Sequence, residues 1–333
     1  MFGKKNEDEA VSNSGKGPEW KLLEKVISDS FVEQRRARRW GIFFKLLTFA
    51  YIFAFIFLFS NQSGDSMGLK TPKHEYTGLV SLKGVIADGE EANANAIATG
   101  LRKAFEHEKT TAVILAINSP GGSPVQSNYV YDEINRLREK YPEKKLYAVI
   151  GDLGASGAYY IASAADEIYA SESSLVGSIG VTAAGFGFVD ALDKLGVERR
   201  NFTSGEHKSF LDPFQPVNPS EAEFWKGVLN VTHQQFIKRV KDGRGDRLAN
   251  DNEQLFSGLI WSGEQALDLG LIDGMGSPGQ VAREVIGVED ILDFTVKPNP
   301  FEAFTGRLGS SIGSGIASYF HSQASMAGAE SLR

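Results

Sequence analysis

The chain has 333 residues, 42% of them hydrophobic and 23% charged, which suffices for one large or two modest domains around a sizeable core. Its formal net charge of -7 excludes a general nucleic-acid binder, because phosphate contacts need clustered basic surface. The absence of cysteine excludes a disulfide framework, a thiolate nucleophile and a cysteine metal site.

Residues 1–40 form an N-terminal segment. It is polar and Gly/Ser/Asp/Glu-rich to about residue 18, then helical in pattern over 20–39, with Leu22, Leu23, Val26, Ile27 and Phe31 on one side. Residues 41–59 follow, an apolar run whose only charge is Lys45. As a helix it reaches ~28 Å, close to the ~30 Å hydrocarbon core of a bilayer, so a transmembrane helix is predicted rather than a buried core helix. Arg35, Arg36, Arg38 and Arg39 precede the run, whereas Lys70 and Lys73 come after it. The positive-inside rule then places the N-terminus in the cytoplasm and everything beyond about residue 60 on the extracytoplasmic side of the inner membrane. No Ala-x-Ala-like site follows the run, so a single-pass, uncleaved anchor is expected.

Residues 60–75 read as a polar linker, and from Tyr76 the pattern becomes α/β. Strands are predicted over 76–86, 111–117, 146–150 and 167–170, alternating with helices over 93–108, 124–140 and 155–165. That alternation implies βαβ crossovers and a mainly parallel sheet with helices on its faces, whose chemistry sits at the carboxyl ends of strands. Further on, 197–202 is strand-like, 224–241, 263–271 and 277–286 are helical, and 296–333 is a Gly/Ser/Ala-rich tail expected to be flexible.

Two glycine-rich loops fall at strand ends. The first is Asn118-Ser119-Pro120-Gly121-Gly122-Ser123-Pro124, where successive glycines allow a concave nest of backbone N–H groups, or a plain turn with Pro124 at the first helical position. No Gly-Lys-Ser/Thr follows and no Gly-x-Gly-x-x-Gly is present, so neither a phosphate loop nor a dinucleotide cofactor is indicated. The second is Gly154-Ala155-Ser156-Gly157-Ala158, between a strand and a helix. Ser156 there either caps the helix or acts as a nucleophile whose oxyanion meets the positive end of the helix dipole.

A nucleophilic serine needs a base. His74 lies in the linker, His107 on a charged helix end, His321 in the tail, and His233 on an amphipathic helix where a surface position is expected. The loop Thr203-Ser204-Gly205-Glu206-His207-Lys208-Ser209 offers His207 or Lys208. An ordinary lysine, of pKa ~10.4, is neutral in about one molecule in a thousand near pH 7.4, so chemistry alone favours His207.

The turn around Ser156, with Ser119-Pro120-Gly121-Gly122 before it and Ser204-Gly205-Glu206-His207-Lys208-Ser209 after it, resembles the signal peptide peptidase A family of membrane-anchored serine peptidases, in its short form. The resemblance runs from about 76 to 290, within a peptidase domain taken as 76–295. It implies a Clp-protease/crotonase-like fold of repeated ββα units, Ser156 as nucleophile and Lys208 as general base. It further implies that Gly122 and Gly157 donate the oxyanion-hole N–H groups and that Ser178 orients Lys208. A ring-like homo-oligomer such as an octamer, acting on apolar peptides such as remnant signal peptides and needing no cofactor or metal, is also implied. Tyr159, Tyr160 and Ile161 are expected to line the site. A catalytically inactive membrane scaffold and a crotonase-like acyl-coenzyme A enzyme are the other readings. Whether Ser156 and Lys208 meet within one chain or across two stays open.

Overall fold

A computed structural model describes residues 18–64, 74–249, 252 and 254–297. The chain divides into two units: helix α1 belongs to one, and residues 74–297 are the described part of the other. Helix α1 (Pro18–Gly64) is continuous over 47 residues, merging the predicted amphipathic helix with the apolar run. Its described side chains are exposed, including Phe43, Phe44, Leu46, Leu47, Phe49 and Phe53. Among the described residues no helix is long and apolar enough to cross a membrane. The side chains of residues 56 and 58–64 fall outside those residues, so the predicted span 41–59 is described only in part. Most of the linker and the tail from 298 onward also lie outside them.

The second unit is built on strands β1 (Tyr76–Lys83), β2 (Thr110–Ser119) and β3 (Leu146–Ala155), paired in parallel. Helices α2 (Ala94–Glu106) and α3 (Pro124–Lys140) make the crossovers. Both start where the sequence supplies a cap: the Asn93 side chain accepts from the Ala96 N–H, and the Ser123 side chain from that of Gln126, with Pro124 opening α3. Val113, Leu115 and Ile117 on β2 bury against Leu101, Phe105, Ile134 and Leu137 of these helices in one large core. Ile114, Tyr147 and Val149 bury on the opposite face, under Val281 and Ala282.

Strand β3 changes partners halfway. Its residues 147–150 pair with β4 (Glu167–Ala170), and its residues 153–155 with β5 (Leu175–Gly177). Ser174, fully buried, sits at the fork and donates to the Gly151 carbonyl at 2.5 Å. The remaining strands are β6 (Ile260–Ser262), antiparallel to β5, then β7 (Gly274–Met275), paired with β4, and β8 (Ile291–Asp293), paired with β1. The sheet order is therefore β6-β5-β3-β2-β1-β8, parallel but for the β5–β6 pair, as the alternating sequence predicts.

Between β5 and β6 the chain leaves the core. Residues 181–218 form an arm with only one short helix, α5 (Val189–Leu195), which buries nothing. The predicted strand at 197–202 is absent; Val197 and Phe202 are exposed, and no sheet edge receives them. The arm returns into α6 (Pro219–Arg244), whose carboxyl end is fixed by Arg244. That side chain, 1% exposed, donates to both carboxylate oxygens of Asp273 and to the Gly270 carbonyl. Burial pushes the Asp273 carboxyl up, but the Arg244 hydrogen bonds and charge outweigh it and hold the group below its ordinary value. Helix α7 (Gly263–Asp268) and a short helical stretch at Pro278–Gln280 and Val281–Ile286 complete the unit.

Candidate active site

Strand β3 ends at Ala155, and α4 (Gly157–Ala162) begins two residues on, so Ser156 alone makes the turn. It does so at φ 53° and ψ -124°, a backbone conformation a non-glycine residue holds only when its surroundings over-determine it. Its side chain makes no cap hydrogen bond, so the helix-cap reading fails. Ser156 lines a cavity of about 710 Å3 with Gly122, Gly157, Tyr160, Gly180, Phe236 and others.

The Ser119–Gly122 loop comes up against this turn because of a slip in register. Pairing runs Ile117 to Ile150, then Ser119 to Gly154, and carries the next residues over the start of α4. Gly121 and Gly122 have φ of 91° and 152°, and Gly121 approaches so closely that a Cβ on it would lie 2.6 Å from the Gly157 nitrogen and 2.8 Å from the Ser156 Cβ. The Gly122 nitrogen lies 3.3 Å from the point a Gly157 Cβ would occupy. Neither the Gly122 nor the Gly157 N–H is taken by a described backbone acceptor, and so two donors are left at one place.

The supports of this loop carry little sequence signal. Ile86, at the end of the predicted first strand, donates from its N–H to the Gly121 carbonyl at 2.9 Å and accepts from the Ser123 N–H at 2.7 Å. The buried Ser119 hydroxyl accepts from the Gly121 N–H at 3.1 Å. Only their place beside the glycine pair could have drawn attention to them.

Ser178 is the second non-glycine residue with positive φ, at 51°. Its place beside Ser156 follows from the β3–β5 pairing, in which Ala155 is opposite Gly177, and the Ser156 N–H donates to the Gly177 carbonyl at 2.8 Å. The next residue, Ile179, offers its carbonyl to the His233 ring at 3.0 Å, so this half-buried histidine braces the segment instead of standing on the surface.

The expected aromatic lining is corrected by burial. Tyr159 and Ile161 are fully enclosed in the core, Tyr159 donating to the Leu271 carbonyl at 2.7 Å, and only Tyr160 reaches the cavity. Burial pushes the Tyr160 phenol up, with Arg239 working against it, and the protonated group donates to Asn128 at 2.9 Å. Arg239 donates to Asp132 at 3.0 Å and lies 4.9 Å from the Tyr131 ring centre.

Ser156, Gly122, Gly157 and Ser178 thus come together, and Lys208 does not join them. It sits exposed in the arm, its N–H donating to the Gly205 carbonyl at 3.2 Å, and it does not line the Ser156 cavity. His207 faces Glu221 at 3.3 Å. Among the described residues no group of three or more His, Asp or Glu side chains is placed to hold a metal ion.

A mainly parallel α/β domain that sets an uncommitted serine hydroxyl at a strained strand-to-helix turn, against two unoccupied N–H groups, has the parts of an acyl-transfer hydrolase. Comparison with known proteins narrows this. Residues 138–286 match the model of peptidase family S49, a stretch that includes Ser156, Ser178 and Lys208. A protein named as a protease from Synechocystis sp. is 35% identical over 190 residues, which cover 55% of this chain and 67% of that protein. The chloroplastic serine protease SPPA of Arabidopsis thaliana is 33% identical over 177 residues, 53% of this chain and 26% of its own. The Na(+)/H(+) antiporter NhaA of Brucella abortus is 48% identical over 187 residues, 56% of this chain. The match spans only a quarter of that Brucella protein. The chain belongs to peptidase family S49, the family of signal peptide peptidase A and protease 4.

Proposed function

We propose that this protein is a membrane-anchored serine endopeptidase in which Ser156 attacks the scissile carbonyl. The observation that carries the reading is the Ser156 turn, where a hydroxyl free of capping duty lines one cavity with Gly122 and Gly157. In the reaction, the Ser156 oxygen bonds to the carbonyl carbon while a neutral Lys208 amine takes the hydroxyl proton. The two N–H groups hold the oxyanion, and as the C–N bond breaks the proton passes to the leaving amine. Water then attacks the acyl-serine by the same route in reverse. An acyl-coenzyme A enzyme needs the oxyanion hole alone, and a scaffold needs neither the strained serine nor the open amides.

Lys208 lies outside the cavity of its own chain, so the reading includes assembly with further copies, in a ring that brings a neighbour's Lys208 to Ser156. Exposed apolar side chains on α1, from Ile42 to Phe55, support an anchor in the inner membrane with the catalytic unit on the extracytoplasmic side. Such a site meets extended apolar peptides at the bilayer, including spent signal peptides, and Tyr160 and Phe236 in the cavity suit them.

The test is to express Ser156→Ala and Lys208→Ala separately and then together in one cell. Each alone should neither cleave a peptide substrate nor react with a serine-directed phosphonate, and the co-assembled pair should recover part of the activity. Full activity in Ser156→Ala would overturn the reading, and two dead variants that never complement would return the dyad to a single chain.

A further inference from the structure

Three non-glycine residues among those described hold a positive φ: Ser156, Ser178 and Leu211, the last at 51°. Two belong to the site already described. The third lies in the exposed arm, three residues after Lys208 and one before Asp212, where nothing in the core forces it. Backbone strain of this kind persists only where neighbouring contacts over-determine it.

Those contacts form a clasp. The Asp212 side chain is only 5% exposed in an arm most of whose residues are open to solvent, and its Oδ2 lies 2.8 Å from the Arg199 guanidinium, as an ion pair without hydrogen-bond geometry. The same guanidinium lies 4.8 Å from the ring centre of Phe214, which stacks on Phe188 at 5.4 Å. Backbone bonds lock the crossing: the Phe188 N–H donates to the Pro213 carbonyl at 2.7 Å, and the Phe214 N–H to the Asp212 carboxylate at 3.0 Å. The two limbs of the arm are therefore joined at Arg199 and Asp212, and residues 200–211 form a closed loop with Lys208 inside it.

Lys208 is coupled to that clasp through consecutive tight turns. The N–H of Lys208 donates to Gly205, that of Phe210 to His207, and that of Asp212 to Ser209, each over 3.2 Å. On the far side, the Phe210 ring meets Phe224 and Trp225 of α6 edge-on at 5.9 and 5.8 Å. A lysine on a free loop would spread its amine over many positions, whereas one held between an ion-paired base and an aromatic foot on a helix has few.

We propose that Arg199 and Asp212 are positioning residues that close the base of the lysine loop and fix where the Lys208 amine can reach. The role rests on the reading in which Lys208 is the general base. Removing Arg199 leaves a nearly buried carboxylate unpaired, and the strained turn at Leu211 relaxes with it. The loop then stays in place on α6, but the amine is no longer held to within the ~1 Å on which proton transfer depends.

The test uses the full chain and four variants: Arg199→Gln, Asp212→Asn, the charge-reversed pair Arg199→Asp/Asp212→Arg, and Lys208→Ala. The two single variants should lower kcat on a peptide substrate about tenfold to a hundredfold, with KM and assembly unchanged. The reversed pair should recover most of the lost rate. If Lys208→Ala is dead while both single variants turn over at the wild-type rate, the positioning role falls and the base assignment stands. If Lys208→Ala is active, both fall. A loss of rate that goes with a lowered melting temperature and is not recovered in the reversed pair makes the clasp a structural prop and overturns the proposal.

Discussion

The backbone N–H of Ser156 donates to the carbonyl of Gly177 over 2.8 Å, so the Ser156 turn is stitched to the strand that leads into Ser178. Two strained residues, at φ 53° and 51°, thereby sit side by side at the carboxyl ends of neighbouring strands. The cost of each is met by the sheet that holds them, and the sheet in turn fixes the hydroxyl before any substrate arrives.

The base assignment separates two adjacent residues. Lys208→Ala should abolish peptide cleavage, whereas His207→Ala should retain most of it, because the His207–Glu221 pair is an exposed contact of small worth. A dead His207→Ala beside an active Lys208→Ala would give the role to the histidine.

The Gly121–Gly122 loop should tolerate no side chain. A Cβ on Gly122 would lie 2.1 Å from the Ile86 carbonyl oxygen, so Gly122→Ala must swing the loop and its N–H away from Ser156. Loss of one oxyanion donor predicts a fall in kcat on the order of 100- to 1,000-fold. Steady-state kinetics checks it, and a change confined to KM would mean that Gly122 only shapes the cavity.

The foot of α6 depends on one buried charge. Arg244→Ala leaves the Asp273 carboxylate without its partner and should destabilise the domain by about 3–5 kcal/mol, read by urea unfolding. The double variant Arg244→Met/Asp273→Leu should lose much less, since it buries no unpaired charge.

Acid should weaken the contact between α2 and α3. Hydrogen bonds from Arg136, set against partial burial and joined by one from Arg102, lower the Glu133 carboxyl to about 2. Because the folded value lies below the unfolded one of ~4.3, the stabilisation is fully present above about pH 5 and is lost as pH falls towards 2. With both arginines half-exposed to solvent it amounts to about 1 kcal/mol. Glu133→Gln should flatten that part of the stability profile, and an unchanged acid limb would place the effect elsewhere.

The anchor proposal makes a topological prediction. A reporter fused after Arg333 should be active outside the cytoplasm and one fused near Ser12 inside it, and the reverse pattern would overturn the orientation read from Arg35 to Arg39.

The sequence by itself determined what local chemistry decides. Ser123 and Pro124 start α3 at the residue predicted, and its far end at Lys140 agrees as well, because capping and the 3.6-residue period act within one helix. The apolar runs of β2 and β3 announced buried parallel strands, and the glycines around Ser156 announced a tight turn between strand and helix. The tertiary structure alone decided what pairs with what. Residues 197–202 have the composition of a strand but no sheet edge to join, so they remain in the arm. Tyr159 and Tyr160 are alike in sequence, yet rotation about α4 buries one in the core and turns the other to the cavity. Arg244 looks like a solvated helix end until Asp273, brought in from 29 positions away, makes its burial possible. The distance of Lys208 from the cavity and the clasp of Arg199 on Asp212 are of the same kind: contacts between distant segments leave no periodic trace in the chain, because their residue types are fixed only by the partner that folding delivers.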